Sequence, residues 1–214
     1  MILVLLRLLD PQRSDKLKFT IDDVSVQTVD RSVLRKRIIA VPQDCVFLPE
    51  GSSIKANIDP FDAVSEEDCL SVLETVQLSH FVTDRGGLSG GMSGDQLSAG
   101  QRQLFSLGRA ILRGRARDRN VINVNGRPSG GILLLDEVSS GVDQETEKLM
   151  LQIIHENFAS YTIISIAHRL DMVIRFSEKV VVLDQGKVME TGPPQELLER
   201  PDGAFKALWE SGRQ

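Results

Sequence analysis

The sequence predicts an α/β fold with a helical insert, on the basis of its apolar pattern. Residues 132–135 and 162–167 form short, continuous apolar runs, which are typical of strands buried in a parallel sheet. Residues 53–113 instead carry a helical pattern, broken by glycine pairs at 86–87 and 90–91. Because 214 residues can bury a full core, we expect a layered α/β domain that a group of helices interrupts.

The start of the chain supplies one helix and two strands in this prediction. Leucines crowd residues 3–9 and predict a buried helix that ends near Pro11, because proline lacks the N–H that a helix needs. Residues 18–21 predict a short strand, followed by a turn at 22–23. Residues 38–41 predict a second strand, which ends before a proline.

The second half of the chain supplies an insertion, a hairpin and two short helices. Residues 114–131 are polar and basic with scattered Gly, Asn and Pro, which predicts a surface insertion. Residues 179–183 and 187–190 flank an Asp-Gln-Gly turn and predict a β-hairpin. One helix is expected after the Pro-Pro pair at 193–194, and another around residues 205–209.

The composition argues against several classes of function. A net charge of -5 gives no general attraction to nucleic acid, and the arginines at 109, 113, 115, 117 and 119 are interpreted as a solvated helix end that runs into a loop. Cys45 and Cys69 lack metal-binding spacing and predict reduced cytosolic thiols. The apolar start at residues 1–6 is far shorter than the roughly 20 residues of a spanning helix, so neither membrane insertion nor a signal peptide is expected.

Two acidic residues, Asp136 and Glu137, follow the apolar run at 132–135. Open α/β sheets place their ligands at the carboxyl ends of strands. The first carboxylate could hold Mg²⁺ against nucleotide phosphates, and the second could orient or deprotonate an attacking water. The alternative is a buried strand that simply leaves the core.

Residues 97–103 precede a strongly helical run. Ser98 is a good N-cap, and the small residues after it let a phosphate approach the backbone N–H groups, where the helix dipole favours an anion. An ordinary capped helix start would have the same appearance.

Three single residues are further candidates. Gln43 follows the strand at 38–41, where sheet and insert should meet, and its amide could ligate Mg²⁺ or water; the alternative is a polar loop residue. His168 ends the run at 162–167 and could hydrogen-bond a phosphate or water, or be a structural histidine. Asp143 could brace a neighbouring site, cap a helix, or do both.

The order of these segments resembles that of the ATP-binding cassette (ABC) ATPases over nearly the whole chain. The resemblance rests on the Q-loop at 42–44, the LSGGQ signature at 97–103, Walker B with its catalytic glutamate at 132–137, the D-loop at 139–143 and the H-loop at 167–169. Ala99 replaces one glycine of the signature. Residues 51–54, 57–61 and 184–192 are similar to the second nucleotide-binding domain of multidrug-resistance-associated (subfamily C) exporters, and the Arg-rich insertion resembles that of filamentous-fungal members.

This resemblance implies a P-loop NTPase-like ABC ATPase sandwich with a helical insert. Its expected segments are a remnant of the ATP-binding core at 1–52, a helical subdomain with the signature at 53–115, a surface insertion at 116–131, the remaining core at 132–191 and C-terminal helices at 192–214.

The resemblance also implies ATP and Mg²⁺ as cofactors and a second nucleotide-binding domain as partner, because the family dimerises head to tail around two ATP molecules. On that pattern Asp136 and Gln43 contact Mg²⁺, Glu137 polarises the water and His168 holds the γ-phosphate. Ser98 and Gly100 are expected to hold the γ-phosphate of the partner's nucleotide, and Ala99, Gln101 and Asp143 are further cofactor-binding candidates. Transmembrane domains would place the chain at the cytoplasmic face of a membrane, and the chain expressed alone is expected to be soluble and cytoplasmic.

The 214 residues contain no GxxxxGK[ST] Walker A loop, whose lysine and N–H groups neutralise the β- and γ-phosphates. We therefore expect an N-terminally truncated ABC domain that folds marginally and is inactive alone. The alternative is a non-catalytic subunit that supplies its signature to a full-length partner. A soluble ABC ATPase of translation or DNA repair is disfavoured by residues 57–61 and by the lack of long coiled-coil arms.

Overall fold

The computed structural model describes residues 2–9, 19–120, 130–167 and 169–212, without the side chains of residues 2, 3 and 120. Its internal contacts divide the chain into two units, Met1–Ile166 and Ala167–Gln214. The first unit carries a parallel sheet and the helical insert, and the second carries a hairpin with short helices. The five expected segments stay a prediction.

Three parallel strands form the sheet of the first unit, as the apolar runs predicted. They are β3 (Ile38–Val41), β4 (Ile132–Asp136) and β5 (Thr162–Ile166), in the order β3-β4-β5. Val41 pairs with Leu135, and Asp136 pairs with Ile166, so the carboxyl ends of all three strands meet at one edge of the sheet. Polar side chains that follow these strands therefore lie at a common edge.

The elements before the sheet are shorter than the sequence predicted. They are α1 (Ile2–Leu5), β1 (Thr20–Ile21), β2 (Val24–Ser25) and α2 (Arg31–Arg37). The expected extension of the first helix towards Pro11 is wrong. Arg7 has a φ of 50° and its guanidinium donates to the carbonyl oxygens of Val26 and Val29, which ends the helix early. The helix α2 was not predicted; Asp30 caps it by accepting from two backbone N–H groups.

The helical insert consists of α3 (Ile54–Ile58), α4 (Glu66–Thr75), α5 (Ser79–Thr83), a 3₁₀ turn (Gly94–Gln96) and the long helix α6 (Ala99–Asn120). Its core is apolar, with Phe105 and Leu107 of α6 and Val72 of α4 all at 0% exposure. Helix α6 thus provides the packing surface for the insert.

Helix α6 continues past residue 113, into the stretch expected to be a surface insertion. Arg113 and Arg119 are exposed near the end of the helix, as the interpretation of a solvated helix end requires, but the arginines also bond to neighbouring elements. Arg117 donates to the carbonyl of Arg37, and Arg119 makes a bidentate ion pair with Asp68 at 2.6 and 2.7 Å. These contacts tie the end of α6 to α2 and α4, which keeps the helix formed. Residues 121–129 of the expected insertion lie outside the described part.

After β4, the strand β5, the hairpin and the two closing helices match the sequence predictions, whereas the two helices that flank β5 were not predicted. Helix α7 (Gln144–Asn157) connects β4 to β5 along the chain. In the second unit, α8 (Leu170–Phe176) precedes the antiparallel hairpin β6 (Val180–Asp184) and β7 (Lys187–Gly192), and the helices α9 (Pro194–Glu199) and α10 (Ala204–Ser211) close the chain. Within the described ranges, no helix is both long and apolar enough to cross a membrane.

Candidate functional site

Gln43 and Asp136 lie at the carboxyl edge of the sheet. Asp136 is the last residue of β4, and Gln43 follows β3 after Pro42. Val41 and Leu135 are paired, so the two polar residues leave neighbouring strands at the same level. A carboxylate and an amide at one edge are hard oxygen ligands of the kind that Mg²⁺ takes alongside water and phosphate.

Glu137 occupies a tight turn directly after β4. Its φ is 50°, in the left-handed region, which few non-glycine residues adopt. Two backbone hydrogen bonds hold the turn: the N–H of Glu137 donates to Ile166 at 3.0 Å, and its carbonyl accepts from Ser140 at 2.9 Å. The turn therefore fixes the backbone that carries this carboxylate beside the end of β5.

Ser98 starts helix α6 with a reciprocal cap, as the sequence predicted. The N–H of Gln101 donates to Ser98 Oγ at 3.2 Å, and the N–H of Ser98 donates to Gln101 Oε1 at 2.9 Å. The Gln101 side chain is thus engaged in the cap. Ser98 and Ala99 are exposed, while Gly100 is buried, so the first turn presents small groups to solvent.

Asp143 caps helix α7. It accepts from the N–H groups of Glu145 and Thr146 at 3.0 and 2.9 Å, and from the Thr146 hydroxyl at 2.6 Å. The hydroxyl bond, followed by the backbone bond from Thr146, lowers the pKa of Asp143. The prediction that Asp143 caps a helix is confirmed. Its second role, bracing a neighbouring site, stays a prediction.

One open cavity of about 190 Å³ brings three of the predicted segments together. Gln43 lines it from the segment after β3, Ala99 from the start of α6 and Ser140 from the turn after β4. Asp44, Cys45, Arg102 and Gln103 complete the lining. His168 lies outside the described residues, so its place relative to this cavity stays a prediction.

Two residues to which the sequence analysis gave no connecting role link these segments. Gln103 donates from Nε2 to the carbonyl of Gln43 at 2.6 Å, and the Arg109 guanidinium donates to the carbonyls of Val46 and Asn57. Both sit on α6, one and three turns beyond its start. The signal available in the sequence was a polar residue at helical spacing on an otherwise apolar face.

The donor set fits a magnesium nucleotide better than a metal held by protein alone. Among the described residues, no group of three or more His, Cys, Asp or Glu side chains could hold a metal ion. Mg²⁺ typically takes one or two protein ligands and completes its shell with water and phosphate oxygens. Asp136 and Gln43 fit that requirement.

The fold is that of an ABC-type ATPase domain, and comparison with known proteins agrees. The ABC transporter family pattern matches residues 1–116. ABC transporter FGM5 of Gibberella zeae is 53% identical over 208 residues, which are 97% of this chain and 14% of FGM5. ATP-binding cassette sub-family C member 2 of Rattus norvegicus is 37% identical over 198 residues, 90% of this chain and 12% of that protein.

A solved structure supports the same assignment. "Structure of a bacterial Atm1-family ABC exporter with ATP bound" superimposes with a TM-score of 0.81 at 27% identity, over 100% of this chain and 34% of that one. The chain therefore belongs to the ABC transporter family, and its resemblance to fungal and multidrug-resistance-associated exporters is confirmed. It spans 14% of the length of FGM5.

Proposed function

We propose that this chain serves as an ATP-hydrolysing cassette of an ABC exporter at the cytoplasmic face of a membrane. The observation that carries the proposal is the meeting of Gln43, Ala99 and Ser140 around one cavity at the carboxyl edge of the sheet. The cavity joins the segment of Gln43, a candidate metal ligand, to the start of the partner-facing helix, whereas Asp136 and Glu137 are not among its lining residues.

Within that function, Asp136 and Gln43 hold the magnesium ion from the sheet edge. Bound Mg²⁺ would neutralise charge on the nucleotide phosphates. Glu137 orients and deprotonates the attacking water, because its turn places a carboxylate one residue beyond the metal ligand. The role of His168 on the γ-phosphate rests on the family resemblance alone.

The start of α6 serves a second nucleotide-binding domain. Ser98 and Ala99 are exposed, and with the buried Gly100 they form the N-terminus of a helix, where the helix dipole favours phosphate. Gln101 acts there by holding the cap closed. Asp143 approaches the same interface from the cap of α7, and transmembrane domains complete the exporter.

The 214-residue chain on its own is expected to bind Mg-ATP weakly and to hydrolyse it negligibly. No GxxxxGK[ST] pattern occurs in these residues, so nothing in them supplies that cradle for the β- and γ-phosphates. The same fact favours a second candidate, a non-catalytic half that lends Ser98 and Gly100 to a complete partner. ATP turnover by the purified chain that disappears in Glu137→Gln would contradict the expectation.

A graft into FGM5 of Gibberella zeae separates the two functions. The 208 matched residues of FGM5 are replaced by this chain, and ATPase activity is compared with FGM5 lacking the segment. If the chain is catalytic, the chimera regains activity and Glu137→Gln removes that gain, whereas the exposed control Glu145→Gln keeps it. If the chain only contributes its signature segment to the partner's nucleotide site, the Glu137→Gln chimera retains the regained ATPase activity. A chimera with no regained activity would overturn both.

A further inference from the structure

The segment after β3 is bonded to helix α6 at three positions, residues 43, 45 and 46. Gln103 Nε2 donates to the carbonyl of Gln43 at 2.6 Å. Cys45 Sγ donates to the carbonyl of Arg102 at 3.2 Å. The Arg109 guanidinium donates to the carbonyl of Val46. A single helix thus holds the loop that carries Gln43.

Among these contacts, the one from Gln103 is not explained by stability. Its side chain is only 7% exposed, and within the described residues its Oε1 has no hydrogen-bond partner. A buried oxygen without a partner is costly, whereas a leucine of similar size would fill the same space without that cost. Gln43 is exposed, so water could satisfy its carbonyl if Gln103 were replaced. What glutamine uniquely supplies here is the bond to Gln43.

We propose that Gln103 is a positioning residue, which fixes Gln43 at the sheet edge by holding its backbone carbonyl to helix α6. The role of Gln43 at Mg²⁺ rests on the proposed function; the hold on its backbone does not. Because α6 begins at the Ser98 cap, the helix that faces the partner's nucleotide also sets the position of this chain's own metal ligand. A shift of the first turns of α6 is therefore passed to Gln43 inside one chain.

The native cysteines provide a direct test in the 214-residue chain. Cys45 lies in the held segment and is partly exposed, whereas Cys69 is 0% exposed and reports global opening. Iodoacetamide labelling of both is followed by peptide mass spectrometry at one fixed pH. Loss of one hydrogen bond in Gln103→Leu should speed Cys45 labelling by about threefold to tenfold and leave Cys69 protected.

Two further variants sharpen the test. Gln103→Glu keeps the shape but replaces the donor with a charged acceptor that faces the Gln43 carbonyl, so it should speed Cys45 labelling at least as much as Gln103→Leu. Gln152→Glu makes the same chemical change on the exposed face of α7, where the amide contacts only Glu156, and should leave Cys45 labelling unchanged. Unchanged Cys45 labelling in Gln103→Leu, or equal acceleration at both cysteines, would overturn the proposal.

The FGM5 chimera tests whether the position of Gln43, held by Gln103, affects the use of Mg²⁺. If Gln103 serves the metal through Gln43, Gln103→Leu raises the Mg²⁺ concentration for half-maximal ATPase activity several-fold and leaves the rate at saturating Mg²⁺ nearly unchanged. A drop in the rate at every Mg²⁺ concentration would show that Gln103 does not act through the metal. A chimera without ATPase activity refutes the proposed function, while the Cys45 labelling still decides the positioning role.

Discussion

Thr146 of helix α7 lies against Gly100 at the start of helix α6. A β-carbon added at Gly100 would come within 3.0 Å of Thr146 Cγ2 and 3.3 Å of its Oγ1. The same threonine donates its hydroxyl to Asp143 at 2.6 Å, so it cannot turn aside without losing that bond. Close packing against Thr146 of the same chain therefore favours glycine at position 100, independently of any ligand.

Gly100→Ala should destabilise the chain through this contact. Crowding in a packed site costs about 1–3 kcal/mol, which exceeds the gain of about 1 kcal/mol from placing alanine in a helix. Thr146→Ser removes Cγ2 and keeps the hydroxyl bond to Asp143, so the double variant should recover most of the loss. Urea unfolding of the four proteins gives the coupling energy directly.

A matched control for this cycle is Gly212→Ala, where an added β-carbon meets no atom nearer than 3.5 Å. Its change in unfolding free energy should be independent of Thr146→Ser. Additive effects of Gly100→Ala and Thr146→Ser would mean that the contact does not constrain the signature.

The ion pair between Arg119 and Asp68 should make stability depend on pH. The hydrogen bonds from Arg119, and after them the bond from Ser65, hold the pKa of Asp68 well below its ordinary value. A carboxyl group with a lowered folded pKa stabilises the protein above its unfolded pKa of about 4, and that stabilisation is lost as the pH falls through the folded pKa. Arg119→Met should therefore lower the melting temperature at pH 6 and have progressively less effect below about pH 4.

The comparison for this prediction is Arg115→Met on the same helix. Arg115 contacts the Ser71 hydroxyl at 3.4 Å, which involves no carboxylate, so its effect should not change with pH. If the difference in melting temperature between wild type and Arg119→Met is constant from pH 3 to pH 6, the ion pair does not contribute to the loss of stability in acid.

Arg109 should be one of the few surface-reaching side chains whose replacement is costly. Its guanidinium donates to the carbonyls of Val46 and Asn57 and lies 5.1 Å from the ring centres of both Phe47 and Phe105. Arg109→Lys keeps the charge but loses the planar fork, and should cost about 1.5–3 kcal/mol in urea unfolding. Arg113→Lys, which loses a single 3.3 Å bond to Arg35, should cost clearly less. Equal losses would contradict the bridging role of Arg109.

The sequence predicted the sheet well because its strands are apolar on both faces. Residues 132–135 and 38–41 form strands as expected, since apolar runs of four residues are shorter than most helices. The sequence prediction failed where contacts between distant residues determine where a helix ends. Arg7 ends α1 by bonding to distant carbonyls, and the pair of Arg119 with Asp68 extends α6, and neither partner can be read from local periodicity.

The sequence suggested candidate residues for the site but not the contacts between them. Ser98 and Asp143 are caps that local patterns reveal. The bond from Gln103 to Gln43 spans 60 positions in sequence, and no local pattern marks either end of it. Contacts of this kind depend on how two elements pack, which composition and spacing do not encode.

The left-handed turn at Glu137 has a consequence for variants at this position. A backbone that most side chains adopt only at an energetic cost selects for residues that tolerate it, such as asparagine and glycine. Glu137→Asn should thus melt at least as high as Glu137→Val, although both lack the glutamate. A screen for heat resistance alone would therefore tend to replace Glu137, the residue that we propose orients the attacking water.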